Sequence, residues 1–270
     1  MRAPARDGDR AAVPVLMYHA VTDEPGRAVR RLSVTPGQFA TQMEILAAHR
    51  RTPLTVAELA ALWRGRGGRL PARPVLLTFD DGYEGVHRHA LPVLAAHGFT
   101  ATLFVATGWL RGPYDTGGGL DTMLDWGQVR ELAAHGVEIG GHSHTHPPLD
   151  QLTSGELRLE LARCLDVIGD ELGAPPVSFA YPYGHSDRRV RQAVRAAGFA
   201  QALAVGNGLA RRRQGPYALR RLTVRRSTGP EVFERLVEGR AVGAHFAGDR
   251  ALTKAYAVLR GARRAVRARG

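Results

Sequence analysis

Two adjacent carboxylates are the sharpest chemical feature of the sequence. Asp80 and Asp81 follow the apolar run 74–79 and precede Gly82. Burying one carboxylate is costly, and two side by side need a counter-charge or a metal ion to stay ionised. Barrel and open-sheet enzymes carry their catalytic groups at strand ends of this kind. The pair therefore indicates an active site; the alternative is a solvated turn, which Asp-Gly sequences also favour.

Three histidines follow a second apolar run, 137–140. They are His142, His144 and His146. His142 and His146 are four residues apart, so one helical turn would let both imidazoles bind one cation, whereas His144 would point elsewhere. Two histidines and a carboxylate are typical of catalytic Zn²⁺, although they also match the ligands of non-haem Fe(II) oxygenases. The alternative is a solvated polar loop.

A third strand-end sequence combines aromatic residues with proline and glycine. The residues Tyr181-Pro182-Tyr183-Gly184 end the run 177–181. Such a turn can direct a backbone N–H into a cavity, where it would stabilise an oxyanion. Taken alone, this sequence is more typical of a plain turn.

Apolar runs alternate with helical patterns along the chain. Helix starts are marked by capping residues such as Thr35, Thr55 and Thr153. The alternation predicts a parallel sheet with one core, either a (β/α) barrel or a doubly wound sheet. The predicted strands are 13–18, 74–79, 99–105, 137–140, 177–181, 199–205 and 218–224.

The net charge of +12 is unevenly distributed. Residues 211–226 and 250–270 together hold fourteen basic residues and no acidic one, so the rest is nearly neutral. No aromatic-studded basic helix accompanies this charge, and we expect no nucleic-acid partner.

We divide the chain into a catalytic domain, 1–247, and a basic tail, 248–270. The tail is weakly amphipathic, which favours contact with an anionic membrane surface; a solvated tail is the alternative.

The sequence has no apolar stretch long enough for a membrane span, and its start is charged. We therefore expect a cytoplasmic protein or one peripheral to the membrane, with secretion left open. The single cysteine, Cys164, cannot form an internal disulfide. We expect a monomer.

The three strand-end sequences together resemble the NodB-like polysaccharide deacetylases. Thr78–Gly82 matches the first family motif, 142–146 the second, and 179–184 stands where the third lies. The opening stretch, 14–23, and the segment 32–46 are similar to the branch that deacetylates poly-N-acetylglucosamine. The resemblance covers roughly 13–224. It implies a distorted (β/α)7 barrel and a metal-dependent hydrolase that removes acetyl groups from N-acetylhexosamine units.

The resemblance also implies a role for each motif residue. Asp80 is the general base, and the metal ligands are Asp81, His142 and His146. The backbone N–H of Tyr183 helps to stabilise the oxyanion. The ion would be Zn²⁺ or another divalent transition metal such as Co²⁺ or Ni²⁺; it polarises the acetamide carbonyl and makes water more acidic.

Two departures from the family pattern affect this interpretation. Ala180 stands where many members have an arginine that pairs with the catalytic aspartate, and the L-x-H motif that supplies the general acid is missing. We take His19, at the end of the first predicted strand, as the first candidate for the acid and His185 as the second. The substrate would be a polysaccharide, an oligosaccharide or a lipid-linked sugar. The alternative is a catalytically silent carbohydrate-binding relative.

Overall fold

The computed structural model describes residues 12–253, 256 and 260. The strands are β1 (Ala12–Val13), β2 (Val15–Tyr18), β3 (Thr52–Leu54), β4 (Pro74–Phe79), β5 (Thr102–Val105), β6 (Glu138–Gly141), β7 (Ser178–Ala180), β8 (Gln201–Leu203), β9 (Ala210–Arg211) and β10 (Leu222–Thr223). Seven of them form the central path, in the order β10-β2-β4-β5-β6-β7-β8, with every neighbouring pair parallel.

The sheet curls into a half-barrel, which confirms the predicted α/β barrel class. A bridge between Leu203 and Leu219 links β8 to the segment that leads into β10, at the opposite end of the strand path. The strand β3 pairs with β4, and β1 pairs antiparallel with β9. Sequence patterns missed β3 because Pro53 lies in its middle, and proline is a poor residue for a strand interior.

Helices connect the strands, and most of them cover the outer face of the sheet, whereas α2 packs on the other face. They are α1 (Pro36–Ala48), α2 (Val56–Trp63), α3 (Leu91–His97), α4 (Trp126–Ala134), α5 (Ser154–Leu172), α6 (Arg188–Ala196), α7 (Pro230–Val237) and α8 (Val242–His245). Thr35, Thr55 and Thr153 cap their helices as predicted, and each accepts a hydrogen bond from the backbone N–H three residues on. Residues 247–253, 256 and 260, here called the C-terminal segment, are also helical. None of the described helices is both long and apolar enough to span a bilayer.

Alternate strand residues face the two sides of the curled sheet. On β2 and β4, Leu16 and Leu77 join the core between the sheet and the outer helices. Val15 and Leu76 instead join a second cluster with Leu219 and residues of α2. Because side chains alternate along a strand, Asp80 continues the row of Leu76 and Thr78. The carboxyl ends of the strands therefore direct polar side chains into the mouth of the half-barrel.

Candidate active site

The side chains of Asp81, His142 and His146 meet at the carboxyl ends of β4 and β6. The Oδ1 atom of Asp81 lies 3.3 Å from the Nε2 atom of each histidine. All three side chains are almost fully buried. The sequence predicted this group from two separate strand ends, and parallel pairing through β5 brings those ends to one edge of the sheet.

Unusual backbone geometry positions these groups. Asp81, Ser143 and His146 have φ values of +75°, +66° and +60°. Left-handed backbone is unfavourable for residues other than glycine and clusters at functional sites. The N–H of His146 donates a hydrogen bond to Oγ of Ser143, which holds the histidine loop.

Hydrogen bonds and ring packing fix the orientation of the histidines. Nδ1 of His142 lies 2.8 Å from the carbonyl oxygen of Ala180, which requires a proton on Nδ1 and leaves Nε2 free to bind a cation. The rings of Trp109 and Tyr183 pack against His146, with centroids 4.4 and 4.8 Å away. His144 turns away, as predicted, and its Nδ1 lies 2.8 Å from Oγ1 of Thr107.

The three side chains fit a divalent cation. One ligand atom from each lies within 4.8 Å of the others. Ligands about 2.0 Å from a tetrahedral ion are separated from one another by about 3.3 Å, the distance from Oδ1 of Asp81 to both histidines. Oδ1 is buried and has no hydrogen-bond partner among the described residues. A buried carboxylate oxygen in this position is best satisfied by a metal ion.

Asp80 lies beside this group but has a different partner. Its two carboxylate oxygens accept hydrogen bonds of 2.6 and 2.7 Å from the two Nη atoms of Arg221. Arg221 is fully buried and also donates to Oγ1 of Thr78 at 3.3 Å. The sequence analysis missed this arginine. It replaces, from the segment before β10, the partner that Ala180 cannot supply.

Both carboxylates are held ionised. Burial alone would raise the pKa of Asp80, but the charge of Arg221 and the hydrogen bonds it donates outweigh burial and lower this pKa below its usual value. For Asp81, interactions with His142 and His146 outweigh burial and hold the pKa well below the usual value. At neutral pH, Asp80 is therefore an ionised carboxylate able to accept a proton.

Asp80, Asp81, His142 and His146 line one cavity of about 430 Å³, which is at the small end of the range typical of small-ligand sites, about 300–1,000 Å³. Its walls also include Tyr83 and Asn207, which sequence reasoning did not single out. Tyr183 is 56% exposed at the cavity and has a φ of +58°.

Both candidates for the general acid also line this cavity. Burial lowers the pKa of His19, and the charges of Asp81 and Asp80 oppose that effect. Burial and then the charge of Arg260 lower the pKa of His185 to about 4. Both histidines are therefore harder to protonate than an exposed histidine.

Comparison with known proteins identifies the family. The curled sheet, with carboxylates and histidines at its strand ends, defines a deacetylase-type half-barrel. The family model for polysaccharide deacetylase matches residues 67–202, and the chain belongs to this family. This match confirms the resemblance drawn from the motifs.

Sequence and structural similarity to individual proteins agrees with this assignment. The chain is 28% identical to the YxkH protein of Bacillus subtilis (strain 168), over 84% of this chain and 77% of that protein. It is 24% identical to the poly-β-1,6-N-acetyl-D-glucosamine N-deacetylase of Escherichia coli (strain K12), over 72% of this chain but only 34% of the relative. The deacetylase PplD of Streptococcus pyogenes, solved in complex with acetate, has the same fold, with a TM-score of 0.75 at 23% identity over 84% of this chain and 98% of that one.

Proposed function

We propose that this polysaccharide deacetylase is a metal-dependent hydrolase that removes N-acetyl groups from N-acetylhexosamine units. The observation that carries the proposal is the division of labour between adjacent carboxylates. Asp81 faces two histidines at 3.3 Å, whereas Asp80 is held by Arg221 at 2.6 and 2.7 Å. A site that only bound sugars would not need an ionised carboxylate beside a metal-binding group.

In the proposed reaction, Asp81, His142 and His146 hold the divalent ion. When bound, the ion polarises the acetamide carbonyl and makes a water molecule more acidic. Asp80 accepts the proton from the attacking water, because its carboxylate is ionised and unused by the cation. Arg221 fixes the plane of this carboxylate through its paired hydrogen bonds. The backbone N–H of Tyr183 donates to the developing oxyanion.

We propose His19 as the acid that protonates the departing amine. Its Nδ1 is buried and has no hydrogen-bond partner among the described residues, and its side chain lines the cavity. A general acid must be protonated, so the rate falls as the pH rises through its pKa. Since burial lowers the pKa of His19 below the ordinary value of 6.5, this fall should begin at a lower pH than for an exposed histidine.

In the wild type, kcat/KM should fall as the pH rises through the pKa of His19, and we call this fall the alkaline limb. The variant His19→Gln should lose the alkaline limb and retain its bound metal. The measurement is the pH–rate profile of the metal-loaded wild type and variant. His185→Gln is the matched control and should keep the limb. A profile of His19→Gln that still shows the wild-type limb would assign proton donation to another group.

The alternative of a catalytically silent carbohydrate-binding relative rested on a missing arginine and a missing histidine. Arg221 contacts Asp80 in the manner expected of that arginine, so one of the two grounds is gone. The third possibility, an Fe(II) oxygenase, belongs to a different fold. The deacetylase interpretation is therefore the one that the contacts favour.

The substrate proposal is an oligomer of N-acetylglucosamine. The named activity of the Escherichia coli relative supports this sugar, although the chain spans about a third of that protein.

The proposed contact between the basic tail and anionic lipid has less support. Of the tail's basic residues, the structure describes Arg250 and Arg260, and Arg260 forms an ion pair with Asp150. The remaining basic residues of the tail lie outside the described residues.

The test of the proposed function is release of acetate from β-1,4- and β-1,6-linked N-acetylglucosamine oligomers. We expect activity in the wild-type protein, loss of activity after treatment with a chelator, and recovery when Zn²⁺, Co²⁺ or Ni²⁺ is restored. Retention of full activity in protein shown by elemental analysis to be metal-free would contradict the proposed metal dependence. Metal-loaded protein that releases no acetate from any oligomer would contradict the deacetylase proposal.

A further inference from the structure

Exposed apolar side chains gather at the mouth of the catalytic cavity. Among the described residues, six large hydrophobic side chains are exposed. Four of them line this cavity, namely Leu120, Tyr183, Leu252 and Tyr256. Clustered exposed apolar residues mark interaction sites, whereas scattered ones need no explanation.

Two of these four residues belong to the C-terminal segment. Leu252 and Tyr256 are 61% and 58% exposed, and Thr253 between them also lines the cavity. An amphipathic helix that only covers a protein surface buries its apolar side chains. This segment leaves both apolar side chains at the cavity opening.

Ion pairs anchor the segment at both ends. Asp249 accepts hydrogen bonds of 2.6 and 3.1 Å from the two Nη atoms of Arg225, just after β10. Nε of Arg260 donates to Oδ2 of Asp150 at 2.9 Å, and both side chains are largely buried. Arg225 lies four residues after Arg221, and Asp150 lies four residues after His146. The two ion pairs therefore attach the segment to residues that lie close in sequence to the groups of the candidate site.

We propose that Leu252 and Tyr256 form a sugar-binding subsite for the N-acetylhexosamine unit next to the one that is deacetylated. This inference rests on the proposed function and deepens it. A tyrosine offers a flat apolar face and a hydroxyl at the edge of water, which suits a sugar ring with C–H faces and hydroxyl edges. The ion pairs hold that face beside the cavity before substrate arrives.

The subsite gives a specific dependence on chain length. Asp80 and the metal-binding group line the cavity of about 430 Å³, and the C-terminal segment forms a wall at its opening. We expect a single N-acetylglucosamine, held at the groups that act on its acetyl group, to leave the subsite empty. We expect a trimer to place another ring against Tyr256. The enzyme should therefore prefer the trimer to the monomer.

The experiment compares full-length, metal-loaded wild type with Tyr256→Ala and Tyr256→Phe. The measured quantities are the ratio of kcat/KM for trimer over monomer and the dissociation constant of the trimer by calorimetry. An aromatic contact is worth about 0.5–1.5 kcal/mol, so Tyr256→Ala should lower the ratio and weaken trimer binding by about 2- to 10-fold. Tyr256→Phe keeps the ring and should stay near wild type. Leu159→Ala, which removes an exposed side chain on α5, is the control for surface truncation.

A ratio and trimer affinity that stay the same in Tyr256→Ala would overturn the subsite. So would a rise in kcat/KM on both substrates, because that result would identify the segment as a lid. If the wild type released no acetate, the proposed function would fail by itself. Calorimetry would still decide the subsite: weaker trimer binding by Tyr256→Ala supports it, and no binding of the trimer by wild type overturns it.

Discussion

The variant Asp80→Asn is expected to lose turnover by about 10²–10⁴-fold while remaining folded, because an amide cannot accept the proton that the attacking water gives up. Asn has nearly the shape of Asp and can still accept a hydrogen bond from Arg221. The measurement is acetate release from an N-acetylglucosamine trimer by metal-loaded protein. A loss of less than tenfold would mean that another group acts as the base.

Arg221→Met is expected to destabilise the fold by about 3–5 kcal/mol, because it leaves the buried carboxylate of Asp80 without its counter-charge. The side chains of Arg221 and Asp80 are 0% and 3% exposed, so water cannot replace the lost partner. This loss is large beside a typical domain stability of about 5–15 kcal/mol. The measurement is denaturant unfolding of the metal-free protein, since bound metal would add its own stabilisation.

The matched control for this prediction is Arg225→Met. Arg225 also forms an ion pair with two hydrogen bonds, to Asp249, but its side chain is 28% exposed, so water screens this pair and its loss should cost less than the loss of the buried one. The double variant Asp80→Asn with Arg221→Met removes both charges and should recover part of the lost stability. Equal effects of the two single arginine variants would contradict a special electrostatic role for Arg221.

Much of the candidate site could be predicted because its residues follow apolar strands. Asp81 and His146 are 65 positions apart in the sequence, but they lie only two and five residues after the ends of β4 and β6, two strands of one parallel sheet. Parallel strands place their carboxyl ends at one edge, so strand position alone predicts that these side chains meet. The backbone geometry that aims them, such as the φ of +75° at Asp81, has no comparable signal in the sequence.

Arg221 was missed because it is one of seven arginines in 211–226, and their concentration gives no sign that one of them is buried. Leu219, Arg221 and Thr223 occupy alternate positions and so share one face of the segment that leads into β10. Leu219 joins the apolar cluster of Val15 and Leu76, and Thr223 lines the cavity, so this face points into the half-barrel. Only the parallel pairing of β10 with β2, which lies between β10 and β4, places Arg221 at Asp80.

The C-terminal segment shows a second limit of sequence reasoning. Its basic composition suggested contact with an anionic surface, whereas Asp249, Leu252 and Tyr256 line the catalytic cavity. The apolar pattern of the tail is weak, so the sequence does not show which side of the segment faces the protein. Its placement depends on Arg225 and Asp150, partners distant in the sequence.

The central claim is that two adjacent carboxylates have different tasks, and the most direct test is the metal content of Asp80→Asn and Asp81→Asn. Asn is chosen at position 81 because it tolerates the left-handed backbone there better than alanine. After dialysis against Zn²⁺ and removal of free ion, we predict about one equivalent of metal in Asp80→Asn and severe loss in Asp81→Asn, with both variants inactive. Loss of metal from Asp80→Asn as complete as that from Asp81→Asn would contradict the division of roles.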